Sequence, residues 1–335
     1  MDGPKSTPIS IALHRETAPT YTVSVGLKGE VFPVFANYAS LQKPALRQWG
    51  TIAVTVRNSS RDTLRERITV QVPGWSDQEI QLVDLAPGAV RTYTFAPTFL
   101  PRLYHNREIA AGTAVVNVTD MAGNAVFATT TPVHLRSVDD MFWGADFKYA
   151  SFAASWVTPH DLRIEALLSD ARNFVPDHRL PGYEDAKSEA VQERSTVAQA
   201  RAIFLALQSR GVSYVKSSTT FGDNREWSER LRTPREALRD NSANCIDGAL
   251  LYASLFENIG MDPVIVLVPG HAYVGLRLTR LSNRFLYIET SYTGRTTFEG
   301  AVSAAQRSIH RYQPSAMTFI RILDARRAGI YPLPE

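Results

Sequence analysis

The stretch Ser242-Ala-Asn-Cys-Ile-Asp-Gly-Ala-Leu-Leu-Tyr-Ala-Ser-Leu-Phe-Glu-Asn-Ile-Gly260 holds Cys245, the chain's one cysteine. From Cys245 onward, Ile246, Ala249, Leu250, Ala253 and Phe256 recur at spacings of three and four, which predicts a helix with one apolar face. Ser242 and Asn244 are candidate N-caps, and Gly260 stands where such a helix would stop. Cys245 thus falls in the first turn. There the unpaired backbone N–H groups and the positive end of the helix dipole favour a thiolate over a thiol. The competing assignment is a small buried hydrophobe, the common state of a free cysteine. The next fifty residues favour the reactive role.

Pro263-Val-Ile-Val-Leu-Val268 is a continuous apolar run suited to a buried strand. Pro269-Gly270 signals a turn, and His271-Ala-Tyr-Val-Gly-Leu-Arg-Leu278 a second strand. Leu281-Ser282-Asn283 supplies turn chemistry before a third strand, Phe285-Leu-Tyr-Ile-Glu289. A hairpin of strands two and three centred near Arg280 would set His271 directly opposite Glu289 on one face of the sheet, and a register slipped by two would leave the pair diagonal. A thiol at a helix N-terminus, an imidazole beside it and a carboxylate orienting the imidazole are the parts of an activated sulfur nucleophile.

At these residues the chain resembles the transglutaminase-like superfamily, a papain-like arrangement. That family's pattern puts Cys at the head of a helix, His opening a strand as His-Ala-aromatic, and an acid closing the next strand. The corresponding residues are Asn244-Cys245-Ile-Asp247, Gly270-His271-Ala272-Tyr273 and Ile288-Glu289-Thr290, and the resemblance spans roughly residues 200–295. Two positions depart from it: Glu289 stands where many members have Asp, and Tyr273 where Trp is frequent. The resemblance implies thiol-dependent acyl transfer at an amide of a peptide or protein, as in a cysteine peptidase, amidase or transglutaminase. A thioester would form on Cys245, and no cofactor or metal is implied. Hydrolysis and transamidation differ only in the acceptor and stay open. The alternative is a catalytically silent binding or scaffold protein that keeps the fold. The Cys245 backbone N–H is one oxyanion donor; for the second, Asn241, Ser242, Asn244, Tyr214 and Trp227 are all candidates. Trp227 could wall the cleft or serve packing, and Asp247 reads as a first-turn helix carboxylate.

At 335 residues the chain is long enough for two domains, each with its own core. Hydrophobic content of 44% and charged content of 21% place it among ordinary globular chains. A net charge of +3, with no dense Lys/Arg run, argues against nucleic acid as a partner. No apolar stretch is long enough to predict a membrane span. A single cysteine excludes an internal disulfide framework. The N-terminus lacks a charged segment followed by an apolar one, so no signal peptide is expected. That predicts a cytoplasmic location, or a periplasmic or exported one if the start has been trimmed. Oligomeric state is not legible.

The expected class is α+β in two domains. Residues 1–19 form a polar, proline-containing arm. Residues 20–137 read as short alternating strands: Tyr21–Leu27, Thr51–Arg57, Arg67–Val72, Glu79–Leu85, Val90–Phe95, Thr113–Thr119 and Ala125–Leu135. Turn signals at Asn58-Ser59-Ser60, Pro73-Gly74, Pro87-Gly88 and Ala122-Gly123-Asn124 separate them. This spacing suggests an immunoglobulin-like antiparallel β-sandwich, and Leu85-Ala-Pro-Gly88 resembles Ig-like modules of bacterial proteins. Asp120 and Asn124 read as a hairpin tip rather than a calcium loop. Asn58 and Asn117 match the glycosylation sequon. Residues 138–160, rich in Phe and Trp, form a connector too apolar for a free linker; it reads as packed between the halves, or else as an exposed binding stripe. Residues 161–335 form the helix-plus-antiparallel-sheet domain. Helices are expected near 160–174, 185–208, from Pro234 and over Phe298–His310. Ser217–Trp227 reads as an exposed loop, Met317–Leu323 as a strand, and the end as a proline-containing tail.

Overall fold

A computed structural model describes residues 18–26, 29–40, 52–184, 188–216, 220–222 and 227–334, without the side chains of 39, 40, 220–222 and 227. Helices and antiparallel sheets are both present, so the chain is α+β. It divides into two compact units: residues 1–31, 35–103 and 109–136 in the first, and 32–34, 104–108 and 137–335 in the second.

The first unit is almost entirely β. Its strands are β1 (Thr20–Val25), β2 (Glu30–Val31), β3 (Ile52–Arg57), β4 (Leu64–Gln71), β5 (Glu79–Leu85), β6 (Val90–Phe95), β7 (Ala110–Asp120) and β8 (Ala125–Leu135). They form two sheets, ordered β1-β3-β6 and β2-β8-β7-β4-β5. The alternation read from the sequence is the alternation of burial. Ile52, Val54 and Val56 on β3, Ile68 and Val70 on β4, and Val116 and Val118 on β7 are buried, with more exposed neighbours between them. Two short helices, α1 (Pro33–Ser40) and α2 (Pro101–Tyr104), and the two-residue β2 were not expected. β2 pairs in parallel with the end of β8, Glu30 with His134, a long-range partnership that no local pattern announces. Asp120 closes the β7–β8 hairpin, its carboxylate accepting from the Ala122 and Asn124 N–H groups at 2.9 and 2.8 Å. The arm's residues 1–17 lie outside the described residues.

In the second unit, chain order runs β9 (Asp140–Phe142), α3 (Leu162–Ala171), α4 (Glu189–Ser209), β10 (Ser213–Tyr214), β11 (Thr220–Gly222), β12 (Trp227–Arg230), α5 (Pro234–Asp240), β13 (Ser242–Ala243), α6 (Cys245–Asn258), β14 (Pro263–Val268), β15 (His271–Arg277), β16 (Phe285–Ile288), α7 (Phe298–Ile309), β17 (Thr318–Arg321) and α8 (Ile322–Arg327). The main sheet is ordered β16-β15-β14-β17, antiparallel throughout. All of β14 is buried because it is interior to the sheet and covered on both faces. α6 packs on one face, while Val264, Val266 and Val268 join Ala305 and Ile309 of α7 on the other. That double cover is why its sequence is a continuous apolar run. Pro269-Gly270 makes the β14–β15 turn. Gly270 holds φ at +73°, the value demanded of the second central residue of a type II turn, with proline at the first.

Three segments take more structure than their sequence announces. The predicted connector folds within the second unit: β9 pairs antiparallel with β12, and Met141, Trp143, Phe152 and Trp156 are buried. Of the predicted loop Ser217–Trp227, residues 217–219 and 223–226 lie outside the described residues, and the remainder is strand, β11 pairing with the start of β12. The predicted tail contains α8. There Arg326 ties the C-terminal segment to α6 through Glu257 at 2.8 and 2.9 Å, and to the Ala154 and Val157 carbonyls at 3.0 and 2.8 Å.

The sequon residue Asn58 is fully buried and serves the first unit's architecture. Its Nδ2 donates to the Asp62 and Leu85 carbonyls at 2.8 and 2.9 Å, and its Oδ1 accepts from the Ser60 N–H and hydroxyl. Asn58→Ala strands these buried groups, so it should cost about 2–3 kcal/mol in denaturant unfolding with an unchanged m-value. A loss below about 0.5 kcal/mol, the range of ordinary surface substitutions, would refute this role.

Candidate functional site

Cys245 opens α6 and is partly exposed. Asn244 is the N-cap: its Oδ1 accepts from Asp247 N–H at 2.8 Å, and Asp247 Oδ2 accepts from Asn244 N–H at 3.2 Å. This reciprocal pair is a capping box around the cysteine. Asp247 is almost wholly buried, and its Oδ1 also accepts from Arg232 N–H at 2.8 Å, fastening the helix start to the segment between β12 and α5. Burial pushes its carboxyl up to about 6 against the opposing pull of those N–H donors.

His271, the first residue of β15, turns its Nε2 to Glu289 Oε2 at 2.7 Å. The pair meets, in the slipped register of the two that the sequence allows. Val274 faces Ile288 and Arg277 faces Phe285, which centres the hairpin at Leu281 and makes the contact diagonal. Thr279 and Ser282 shape the turn: Ser282 N–H donates to Thr279 Oγ1 at 3.1 Å, and Leu278 N–H to the Arg284 carbonyl at 3.0 Å. Side-chain parity survives a two-residue shift, so both groups stay on one face. Glu289 lies just past β16, and the longer reach of Glu suits a diagonal contact. Its other oxygen, Oε1, accepts from the Ser291 hydroxyl at 2.6 Å and N–H at 3.1 Å. Ser291 went unrecognised in the sequence, although a serine two residues after an acid is a local hydrogen-bonding pattern.

With Nε2 engaged by Glu289, the Cys245 sulfur is near enough to the imidazole to act on its charge. Burial works against charge on this ring. The Cys245 and Glu289 contacts outweigh it and raise His271 to about 10, so it is imidazolium at neutral pH. The Tyr273 ring stands edge-on to His271 at 4.7 Å between centroids, and its hydroxyl donates to Ser308 of α7 at 2.6 Å.

The turn bearing Glu289 docks on α6 one helical turn past the cysteine. Thr290 Oγ1 donates to the Cys245 carbonyl at 3.3 Å, and a Cβ on Gly248 would come within 2.7 Å of the Thr290 Oγ1. Gly248 is thus what permits the approach.

The remaining candidates separate. Tyr214 pairs with Ala243 through β10 and β13. Its phenol is raised first by burial and then by the charges of Cys245, Glu289 and Glu229. Asn244 has its Oδ1 committed to the cap. Ser242 Oγ accepts from Arg232 at 2.8 Å. Asn241 is the left-handed residue ending α5. Trp227 opens β12, but its side chain lies outside the described residues. Glu229 on β12 had no sequence signal. Burial and the neighbouring Asp247 push its carboxyl up to about 7, opposed by the Trp143 indole.

The largest cavity described lies away from these residues, between α4, α7 and β16. Among the described residues no cluster of His, Cys, Asp or Glu is arranged to hold a metal ion, and no helix is long and apolar enough to cross a membrane. No protein-family model matches the chain, and no curated protein matches it.

Glu229 and Asp247 make stability depend on pH. Each binds its proton more tightly folded than unfolded, so stability should fall as pH rises from about 4 to about 7. Glu229→Gln should flatten the fall in melting temperature over the upper part of that window, from about 4.5 to about 7. A variant whose profile parallels the parent would contradict the assignment.

Proposed function

We propose that the protein is a thiol-dependent acyl-transfer enzyme of the transglutaminase-like type, acting on an amide of a peptide or protein through a thioester on Cys245. The contact of Cys245, at a capped helix N-terminus, with His271, itself bonded to Glu289 at 2.7 Å, carries the reading. The immunoglobulin-like assignment of the first unit belongs to this proposal too; its two sheets and alternating strands support it.

His271 holds the proton in the resting pair, and the Cys245 sulfur attacks the amide carbonyl carbon. The negative charge that develops on the carbonyl oxygen is met by the Cys245 N–H, free of an intrahelical partner in the first turn, and by the Tyr214 hydroxyl. As the tetrahedral species collapses, the C–N bond breaks and His271 passes its proton to the departing amine. Neutral His271 then takes a proton from water or from an acceptor amine, which attacks the thioester and returns the acyl group from sulfur. Glu289 keeps the ring aligned, and Ser291 keeps Glu289 aligned.

Iodoacetamide should label Cys245 rapidly at neutral pH, and His271→Ala should slow labelling by at least about tenfold. Glu289→Gln should lower kcat about 10- to 100-fold with little change in KM, because it disturbs orientation rather than substrate contact. Turnover should decline as pH rises through about 10, where His271 loses its proton. Mass spectrometry of peptide mixtures incubated with a primary amine distinguishes cleavage, deamidation and amine incorporation. Labelling insensitive to His271→Ala, with no mass change dependent on Cys245, would sink the enzyme reading.

A further inference from the structure

The cavity between α4, α7 and β16 has a volume of about 1060 Å³. One wall is the edge of the main sheet, since β16 is the outermost strand. Backbone polarity alternates along an antiparallel edge. The Leu278 N–H reaches the Arg284 carbonyl, whereas the Arg277 N–H turns the other way to Asp262. By that alternation, Leu286 and Ile288 spend their backbone groups on β15, and Phe285, Tyr287 and Glu289 turn theirs outward. The outward Glu289 N–H is taken by the Ala301 carbonyl of α7 at 3.3 Å. Among the described residues the outward groups of Phe285 and Tyr287 have no protein partner, and both residues line the cavity. An open strand edge is a template for another strand.

The charges around the cavity are unbalanced. Arg194, Arg201 and Arg284 line it against one acid, Glu193. Glu193 is paired with Arg284 at 2.7 Å, and Arg201 with Glu299 beside it. Among the described residues exposed Arg194 has no carboxylate within ion-pairing distance. Apolar groups fill the walls between these charges, including Phe174, Val197, Leu286 and Ile309.

We infer that this cavity is a docking groove for an extended, acidic peptide segment, which adds as a strand to the edge of β16 and sets a carboxylate against Arg194. Backbone hydrogen bonds to Phe285 and Tyr287 hold the segment, and the basic rim selects its charge. The groove is separate from the cysteine site, so it stands whether or not Cys245 is catalytic.

The test is fluorescence polarisation with a labelled hexapeptide alternating valine and glutamate, measured on full-length Cys245→Ala protein so that no chemistry intervenes. Saturable binding with Kd below about 1 mM is expected. It should weaken at least tenfold with Arg194→Glu, and equally when glutamate is replaced by lysine in the peptide. N-methylation of alternate peptide nitrogens should abolish it, because a strand cannot pair without those donors. Absence of saturable binding would overturn the proposal, as would binding indifferent to N-methylation or to Arg194→Glu. Reversible self-association in sedimentation that is itself lost with Arg194→Glu would overturn the occupant, making the groove a contact between copies of this chain.

Discussion

The reciprocal cap between Asn244 and Asp247 is the constraint from which the site is built. It satisfies two backbone donors of a buried helix start that would otherwise go unpaired, at the expense of burying a carboxylate. The same carboxylate reaches Arg232 N–H, so one side chain fixes where α6 begins and what segment lies against it. Cys245 occupies its position because the cap leaves no freedom in the first turn. A shift of the start by a single residue would rotate the sulfur by about 100° around the helix axis.

Around that fixed start, the main sheet supplies the other two groups. α6 and α7 cover its two faces, which lets β14 be apolar throughout and makes β15 and β16 rigid mounts. His271 sits at the first residue of β15 and Glu289 just past the last of β16, so both project from the same end of the sheet. Thr290 and Gly248 then close the turn against α6, bringing the carboxylate's end of the hairpin to the helix that carries the sulfur.

Electrostatically the region is divided. His271 is pulled toward its charged form by Cys245 and Glu289 in spite of burial, while Asp247 and Glu229 are pushed toward their neutral forms by it. All three therefore titrate above their ordinary ranges, His271 because anions stand beside it and the two carboxyls because they have lost water. Burial and the surrounding negative charge raise the Tyr214 phenol as well.

Much of this was legible in the chain. The helix from Cys245, the buried strand after it, the His271 and Glu289 strands and the β alternation of the first unit all follow from local periodicity and turn residues, because 3.6- and 2-residue patterns record which face is covered. Parity alone put His271 and Glu289 on one face. The choice between the direct and the diagonal register did not follow. Leu281 rather than Arg280 centres the hairpin, since Thr279 and Ser282 hydrogen bonds set the turn and no apolar pattern counts loop residues. Long-range partnerships were equally silent: β2 with β8, β9 with β12, Arg326 with Glu257, and Glu229 with Asp247 join segments far apart in the chain. A sequence states what each segment can bury. Which segments meet, and so which carboxylates lose their water, is decided only when the tertiary structure brings them together.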